Sequence, residues 1–141
     1  MKAYLSIQNH SDKRTREVIE QISPVLTVCG FETVCMRRDI EQWGAVALSP
    51  REHMVATFDA IRSCQMLVID VTEANVGVGI EAGYAYAHSV PVFTIAREGT
   101  EISTTLDGLS SGIGFYRDLQ DLRSCFTQLG LLMEEAEDKV A

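Results

Sequence analysis

Short apolar runs alternate with amphipathic stretches along this chain, and the alternation predicts strands and helices in turn. Residues 2–7 (K-A-Y-L-S-I) are apolar and end in the polar turn Gln8–Asp12, which reads as a first strand. Ser11 or Asp12 can cap a helix to about Cys29, with Val18, Ile19, Ile22 and Val25 or Leu26 on one face. Pro24 lies inside that pattern and is expected to kink the helix or end it early. Gly30 is a stop signal, and Glu32–Met36 reads as a second strand. Arg37–Leu48 has no period and reads as a loop. Ser49-Pro50, a capping serine followed by proline, opens a helix to about Cys64. The run M-L-V-I-D-V over 66–71 suits a central strand buried on both faces.

A glycine-rich turn, Asn75–Gly79, then precedes a helix expected from about Ile80 to Ser89. Pro91–Ala96 reads as the next strand, Ile102–Leu109 as a short helix and Phe115-Tyr116 as an edge strand. A last helix from about Asp118 to Glu137 carries the apolar stripe Leu119, Leu122, Phe126, Leu129 and Met133. This order predicts an α/β fold: a single open parallel five-stranded sheet with helices on both faces, doubly wound in the flavodoxin-like or Rossmann-like manner. Ligands of such sheets bind beyond the carboxyl ends of the strands, where strand order reverses. Here those ends are Ser6–His10 and Val71–Gly79, expected on one edge.

Length and charge narrow the picture. The 141 residues suit one domain over 1–141, and 46% hydrophobic with 23% charged residues is a globular profile. A net charge of −8 argues against a nucleic-acid polymer or an anionic membrane as partner. It leaves room for a small phosphorylated ligand held by backbone N–H groups. Cys29, Cys35, Cys64 and Cys125 form no C-x-x-C and have no histidine at ligand spacing, so they read as reduced packing residues and no metal is expected. The start, M-K-A-Y-L, enters a strand directly, so no signal peptide is expected, and no apolar run approaches the roughly 20 residues of a membrane span. A cytoplasmic protein is the expectation.

Candidate chemistry concentrates in Asp70–Ala85, D-V-T-E-A-N-V-G-V-G-I-E-A-G-Y-A. Gly77 and Gly79 permit positive φ and close backbone approach to a ligand, and their N–H groups at a helix start suit an anionic or hydroxyl group. Glu81 falls in the expected first turn, where the helix dipole favours its ionised form. An ionised carboxylate beside a sugar-binding loop can attack an anomeric carbon and form a glycosyl ester. Spacing alone equally allows glycines that only ease packing and a glutamate that only caps the helix.

The run from Asp70 to Ala87 resembles the signature of the nucleoside 2-deoxyribosyltransferase superfamily, and N-V-G-V-G-I-E-A-G-Y-A is close to its G-x-G-x-E-x-G-Y-A core. It is equally similar to the branch that hydrolyses nucleotide 5′-monophosphates. The strong match covers about 20 residues, with weaker agreement at Tyr4, Pro91 and Ser103. The resemblance implies a small-molecule nucleoside or nucleotide substrate, no cofactor, Glu81 as nucleophile and Tyr4 orienting it. It implies substrate contacts at Ser6, Asn75, Gly77, Gly79 and Ser103, the last donated by a neighbouring subunit in the hydrolase branch. A homodimer or larger homo-oligomer is therefore expected.

The departures are specific. Asn75 stands where transferases carry aspartate and the hydrolase branch tends to serine. Thr57 stands where the family places an acid, leaving Asp59 or Asp70 as candidate proton donors. Ser6–His10 (S-I-Q-N-H) replaces a G-S-I-R-G-G phosphate loop, and the C-terminal aromatic ending of the transferases is missing. Arg97 and Arg37-Arg38 are candidate anion contacts that read equally as solvated surface. Trp43 can stack on a base or pack, and His10 and His88 read as surface or satisfied histidines. Transfer to a second base, hydrolysis, a non-catalytic nucleotide-binding module and a receiver phosphorylated at Asp70 all remain open at this point.

Overall fold

The structure, a computed structural model, describes residues 1–8, 11–73 and 75–140, with side chains as far as Glu135. Asn9, His10 and Ala74 lie outside the described residues, and with them the reading of His10. Five parallel strands, β1 (Lys2–Ile7), β2 (Glu32–Val34), β3 (Met66–Asp70), β4 (Val92–Arg97) and β5 (Gly112–Tyr116), form one sheet in the order β2-β1-β3-β4-β5. The helices are α1 (Asp12–Val28), α2 (Pro50–Arg62), α3 (Val76–Ala87), α4 (Thr104–Leu109) and α5 (Leu119–Val140). This is the expected α/β architecture, and strand order reverses between β1 and β3.

Strand periodicity assigns the two layers. Alternate residues point to opposite faces. Ala3, Leu5 and Ile7 of β1 join Val68, Phe93 and Ile95 against Ile19, Ile22 and Leu26 of α1 and Leu122, Phe126 and Leu129 of α5. Tyr4 joins Leu67, Ile69 and Val92 against Ile61 of α2, Val78, Ala82 and Ala85 of α3 and Leu106 of α4. By the same parity Ser6 lies on the α2–α3 side, whereas Asp70 lies on the α1–α5 side. The strand tips share an edge but serve different faces.

Several ends differ from expectation. Pro24 neither ends nor breaks α1, which runs to Val28. It sits on the exposed face, where water can replace the bond lost by the Glu20 carbonyl. The second strand stops at Val34, because the Asp39 carboxylate accepts from the Cys35 N–H (2.9 Å) and takes the donor that a longer strand would pair. The chain then makes a π-helical turn over Met36–Ile40 and a 3-10 turn over Gln42–Gly44, where a structureless loop is expected. Arg38 fastens that turn, donating to Ser23 Oγ (2.8 Å), the Thr33 carbonyl (2.9 Å) and Asp39. Leu119 is exposed, so the buried stripe of α5 begins one turn later, at Leu122.

The largest difference is α3. It begins at Val76, four residues before the expected start at Ile80, with Asn75 as its cap. Gly77 and Gly79 are thus helical residues, and neither takes a positive φ. Their low helix propensity pointed to a turn; the Asn75 cap and burial of Val78, Ala82 and Ala85 outweigh it.

Candidate active site

The short β2 makes room for a site. Its register with β1 ends at the pair Tyr4–Val34, so the outer edge of Leu5–Ile7 has no neighbouring strand. A cavity of about 320 Å³ occupies that place, closed on its far side by the π-helical turn. Its polar walls come from Tyr4, Ser6 and Gln8, from Asp12 and Thr15, from Arg37, Glu41 and His53, and from Asn75 and Glu81.

Glu81 forms part of the buried wall of this cavity. It is 5% exposed, and its carboxylate accepts a hydrogen bond from the Ser6 hydroxyl. Burial lifts the carboxyl from its ordinary 4.5 to about 7, with the Ser6 bond pulling partly back. The expected ionisation by the helix dipole does not hold, because the early start of α3 moves Glu81 out of the first turn, where that effect is concentrated. The group sits instead near half-ionisation at neutral pH, a state from which it can act as a base or nucleophile without strong energetic penalty.

Tyr4 packs beside it, 2% exposed. Burial is the main cause that raises its phenol above the ordinary range, the nearby Glu81 charge adds to it, and the Thr57 hydroxyl opposes both. Tyr4 is therefore a neutral phenol at any ordinary pH. Thr57 is fully buried under it and donates to the His53 carbonyl at 2.8 Å. The position at which the family carries an acid is thus filled by a small hydroxyl inside the α2–β1 contact.

The other expected residues are distributed differently. Asn75 reaches the cavity, but its side chain accepts from the N–H groups of Gly77 (2.9 Å) and Val78 (3.4 Å). The Gly77 N–H is thus taken by the helix cap, which corrects its assignment as a free ligand-binding group. At Gly77 the close approach is to protein: a Cβ there would meet the tip of the flexible Gln8 side chain, Nε2 at 2.8 Å, which would have to swing aside. Gly79 points outward and, with Ser103, lines a separate hollow of about 340 Å³ between α3 and α4. The Ser103 hydroxyl caps α4 by accepting from the Leu106 N–H at 3.2 Å.

Neither expected proton donor reaches the Glu81 cavity. Asp59 is on the exposed side of α2, its side chain 61% accessible and paired with Arg62 at 2.6 Å. Asp70 is buried on the opposite face of the sheet, where its carboxylate accepts from the Tyr116 hydroxyl (2.5 Å) and the Thr72 N–H (2.9 Å). Burial first, and then the Asp70 carboxylate, drive the Tyr116 phenol upward. A buried Asp70 engaged on both oxygens also lacks the open carboxylate a phospho-accepting receiver needs.

Sequence reasoning missed Glu41 and His53. Glu41 Oε1 stands 3.3 Å from His53 Nε2, and Glu41 Oε2 accepts from Arg37 Nη1 at 3.0 Å. Glu41 lies in a segment without period and His53 in the first half of α2; only the π-helical turn brings them together. Arg37 lines the cavity, Arg38 is structural, and Arg97 stacks over Tyr116 on the other face, its guanidinium carbon 5.2 Å from the ring centroid. Trp43 packs against the α1 side of the core with Arg16 over its ring at 4.5 Å. The four cysteines are free thiols. Among the described residues no helix is long and apolar enough to cross a membrane.

In open parallel sheets, a cavity beyond the strand ends at the switch point is the usual place for a small-molecule ligand, and here it holds a buried carboxyl. Solved structures make the fold more specific. The CMP N-glycosidase BcmB of Clostridium botulinum matches at TM-score 0.65 and 18% identity, over 93% of this chain and 99% of that one. A 2-deoxyribosyltransferase of Bacillus psychrosaccharolyticus matches at 0.67 and 17%, over 87% and 90%. BlsM, solved in solution, matches at 0.67 and 19%, over 89% and 86%. The chain shares its fold with these three structures, and its Asp70–Ala87 run resembles the signature of the nucleoside 2-deoxyribosyltransferase superfamily. No protein-family profile matches the chain, and no curated protein matches it in sequence.

Proposed function

We propose that this protein cleaves the N-glycosidic bond of a (deoxy)nucleoside and transfers the sugar to a second base through a covalent ester on Glu81. The observation that carries the reading is the Glu81 carboxyl itself, buried, bonded by Ser6 and bordering a cavity of about 320 Å³. In the first step the ionised carboxylate attacks the anomeric carbon. The glycosidic bond breaks, its electron pair goes to the base nitrogen, and the departing base takes up a proton. In the second step a nitrogen of the acceptor base attacks the same carbon, loses its proton and displaces Glu81. The Glu41–His53 pair, on the wall of the same cavity, supplies and recovers that proton.

Charge pairing favours a nucleoside over a nucleotide. Arg37 is already held by Asp12 at 2.9 Å and Glu41 at 3.0 Å, so among the described residues the cavity offers a phosphate no uncommitted guanidinium. The reading includes a homo-oligomer, no metal or organic cofactor, and a cytoplasmic setting. The hydrolysis of nucleoside monophosphates is the competing reading, favoured by the near-complete coverage of the CMP N-glycosidase.

One assay separates these outcomes. Deoxynucleosides and their 5′-monophosphates are incubated with and without a free acceptor base, and products are resolved by chromatography. Base exchange from nucleosides, lost in Glu81→Ala with the circular dichroism spectrum intact, is the expected result. Base release from monophosphates alone would assign the hydrolase. No turnover of any substrate by folded protein would leave a binding module and end the enzymatic reading.

A further inference from the structure

We infer that a second cavity, on the α1–α5 face of the sheet, binds a free α-amino acid with a small uncharged side chain, its ammonium on Glu73 and its carboxylate on Arg97. This site stands apart from the Glu81 chemistry, and its test reads binding rather than turnover, so the two readings fail separately.

The topology provides for two cavities. Ligands of open parallel sheets sit beyond the carboxyl ends of the strands where the order reverses, and a sheet has two faces at that point. The Glu81 cavity uses the α2–α3 face. On the other face, the ends of β1, β3, β4 and β5 and one side of α1 border a cavity of about 210 Å³. Helix α1 contributes Arg14, Glu17, Val18 and Gln21, whose spacing puts all four on one face. Gln8 borders both cavities.

Two charged groups on the wall of the second cavity are unmet. Glu73 Oε2 is shielded from solvent and has no hydrogen-bond donor among the described residues. Its other oxygen has Arg14, loosely, at 3.5 Å, and the side chain is 24% exposed. A buried carboxylate oxygen without a donor is destabilising, and a ligand that brings an N–H removes that penalty. Arg97 makes no ion pair among the described residues; its guanidinium rests over the Tyr116 ring, 5.2 Å from the centroid. The Arg97 backbone N–H donates to Thr72 Oγ1 at 3.0 Å, so its side chain departs from beside Glu73. The two opposite charges nonetheless do not pair. Asp70, the third acid on the wall, is already engaged by Tyr116 and the Thr72 N–H.

The charges select a ligand of both signs. A bare anion drawn to Arg97 would face Glu17, Asp70 and Glu73, and a bare cation drawn to Glu73 would face Arg14 and Arg97. An α-amino acid holds its ammonium and carboxylate about 3 Å apart by standard bond lengths, so one molecule can span the gap. It gives N–H donors to Glu73 and a carboxylate to the guanidinium fork of Arg97. A nucleobase finds no stacking platform, because Tyr116 is 4% exposed and Arg97 lies over its ring. Gln8, Gln21 and Thr72 offer neutral polar groups to the ligand side chain. At roughly 30 Å³ per water the cavity equals about seven water volumes, which admits a ligand of about ten non-hydrogen atoms at most. Serine, threonine, asparagine and glutamine are within that limit.

Isothermal titration calorimetry of the intact chain with each of these amino acids tests the site, with acetate, methylammonium and adenine as comparison ligands. At least one amino acid is expected to bind saturably with a Kd of about 1 mM or tighter. Arg97→Gln and Glu73→Gln are each expected to weaken it at least about tenfold, whereas Glu81→Gln binds as wild type does. Arg97 is exposed and its side chain supports no hydrogen bond within the described fold, so Arg97→Gln keeps the structure, checked by circular dichroism. Every other result overturns the proposal. Those results are no saturable binding to folded protein, affinity retained in Arg97→Gln or in folded Glu73→Gln, binding lost in Glu81→Gln, or a comparison ligand that binds as tightly.

Discussion

The Ser6 hydroxyl, at the end of β1, donates to the carboxylate of Glu81, which stands 75 residues later on α3. The bond crosses from sheet to helix layer and is the one contact that opposes the effect of burial on Glu81. Parity along β1 explains its existence, since the residue two beyond buried Tyr4 must face the same helices.

A pH–rate profile reads this bond. If Glu81 attacks in its ionised form, kcat/KM falls on the acid side of a limb near 7, the pH to which burial raises the group. Ser6→Ala removes the opposing hydrogen bond and is expected to move that limb to higher pH, with a smaller effect on rate far above it. An unchanged limb in the variant would dissociate the limb from Glu81.

Stability and pH are linked through the same carboxyl. A raised pKa in the folded state means that the native protein holds a proton the unfolded chain has released between 4.5 and about 7. The stabilisation is complete below 4.5 and is lost as pH rises through 7. The span corresponds to roughly 3 kcal/mol. Glu81→Gln cannot ionise, so at pH 8 urea denaturation should find it 1–3 kcal/mol more stable than wild type, by order of magnitude. The difference should close near pH 5, while activity drops by at least about 10³-fold.

The proton donor is tested by leaving-group dependence. His53→Ala and Glu41→Gln are expected to slow cleavage of ordinary nucleosides by about 10²–10⁴-fold. A substrate whose base leaves without protonation should be affected far less. Equal losses on both substrates would mean that the pair holds the cavity wall and nothing more.

Tyr116→Phe isolates a structural bond. It strips from the buried Asp70 carboxylate the hydrogen bond that the Tyr116 hydroxyl donates. A cost of about 1–3 kcal/mol in denaturant midpoint is expected. The limb near 7 should stay where it is, because Asp70 serves the opposite face from Glu81.

Much of the fold was legible in the sequence, and the reasons are local. The buried run Met66–Asp70 matches the apolar stretch read as a central strand, and Ser49, Pro50 and Glu52 make a capping box whose start could be placed to the residue. Two segments misled for physical reasons. Gly77 and Gly79 read as a turn, because a helix carrying two glycines in its first turns is sustained by capping and burial rather than propensity. The turn over Met36–Ile40 has no hydrophobic period; Arg38 holds it through contacts to Ser23 and Thr33, which no local pattern announces. The Glu81 assignment came from motif resemblance. Glu41 and His53 were invisible for want of that tertiary turn, and Asp59 and Asp70 looked eligible until the helix face and strand parity removed them.

The close meeting of Gly77 with Gln8 has a mechanical consequence. The neighbour is the amide tip of a flexible side chain, so Gln8 can turn aside while β1 and α3 stay where they are. Replacing Gly77 by alanine would therefore displace the Gln8 amide within the cavity mouth and leave the backbone that carries Glu81 in place.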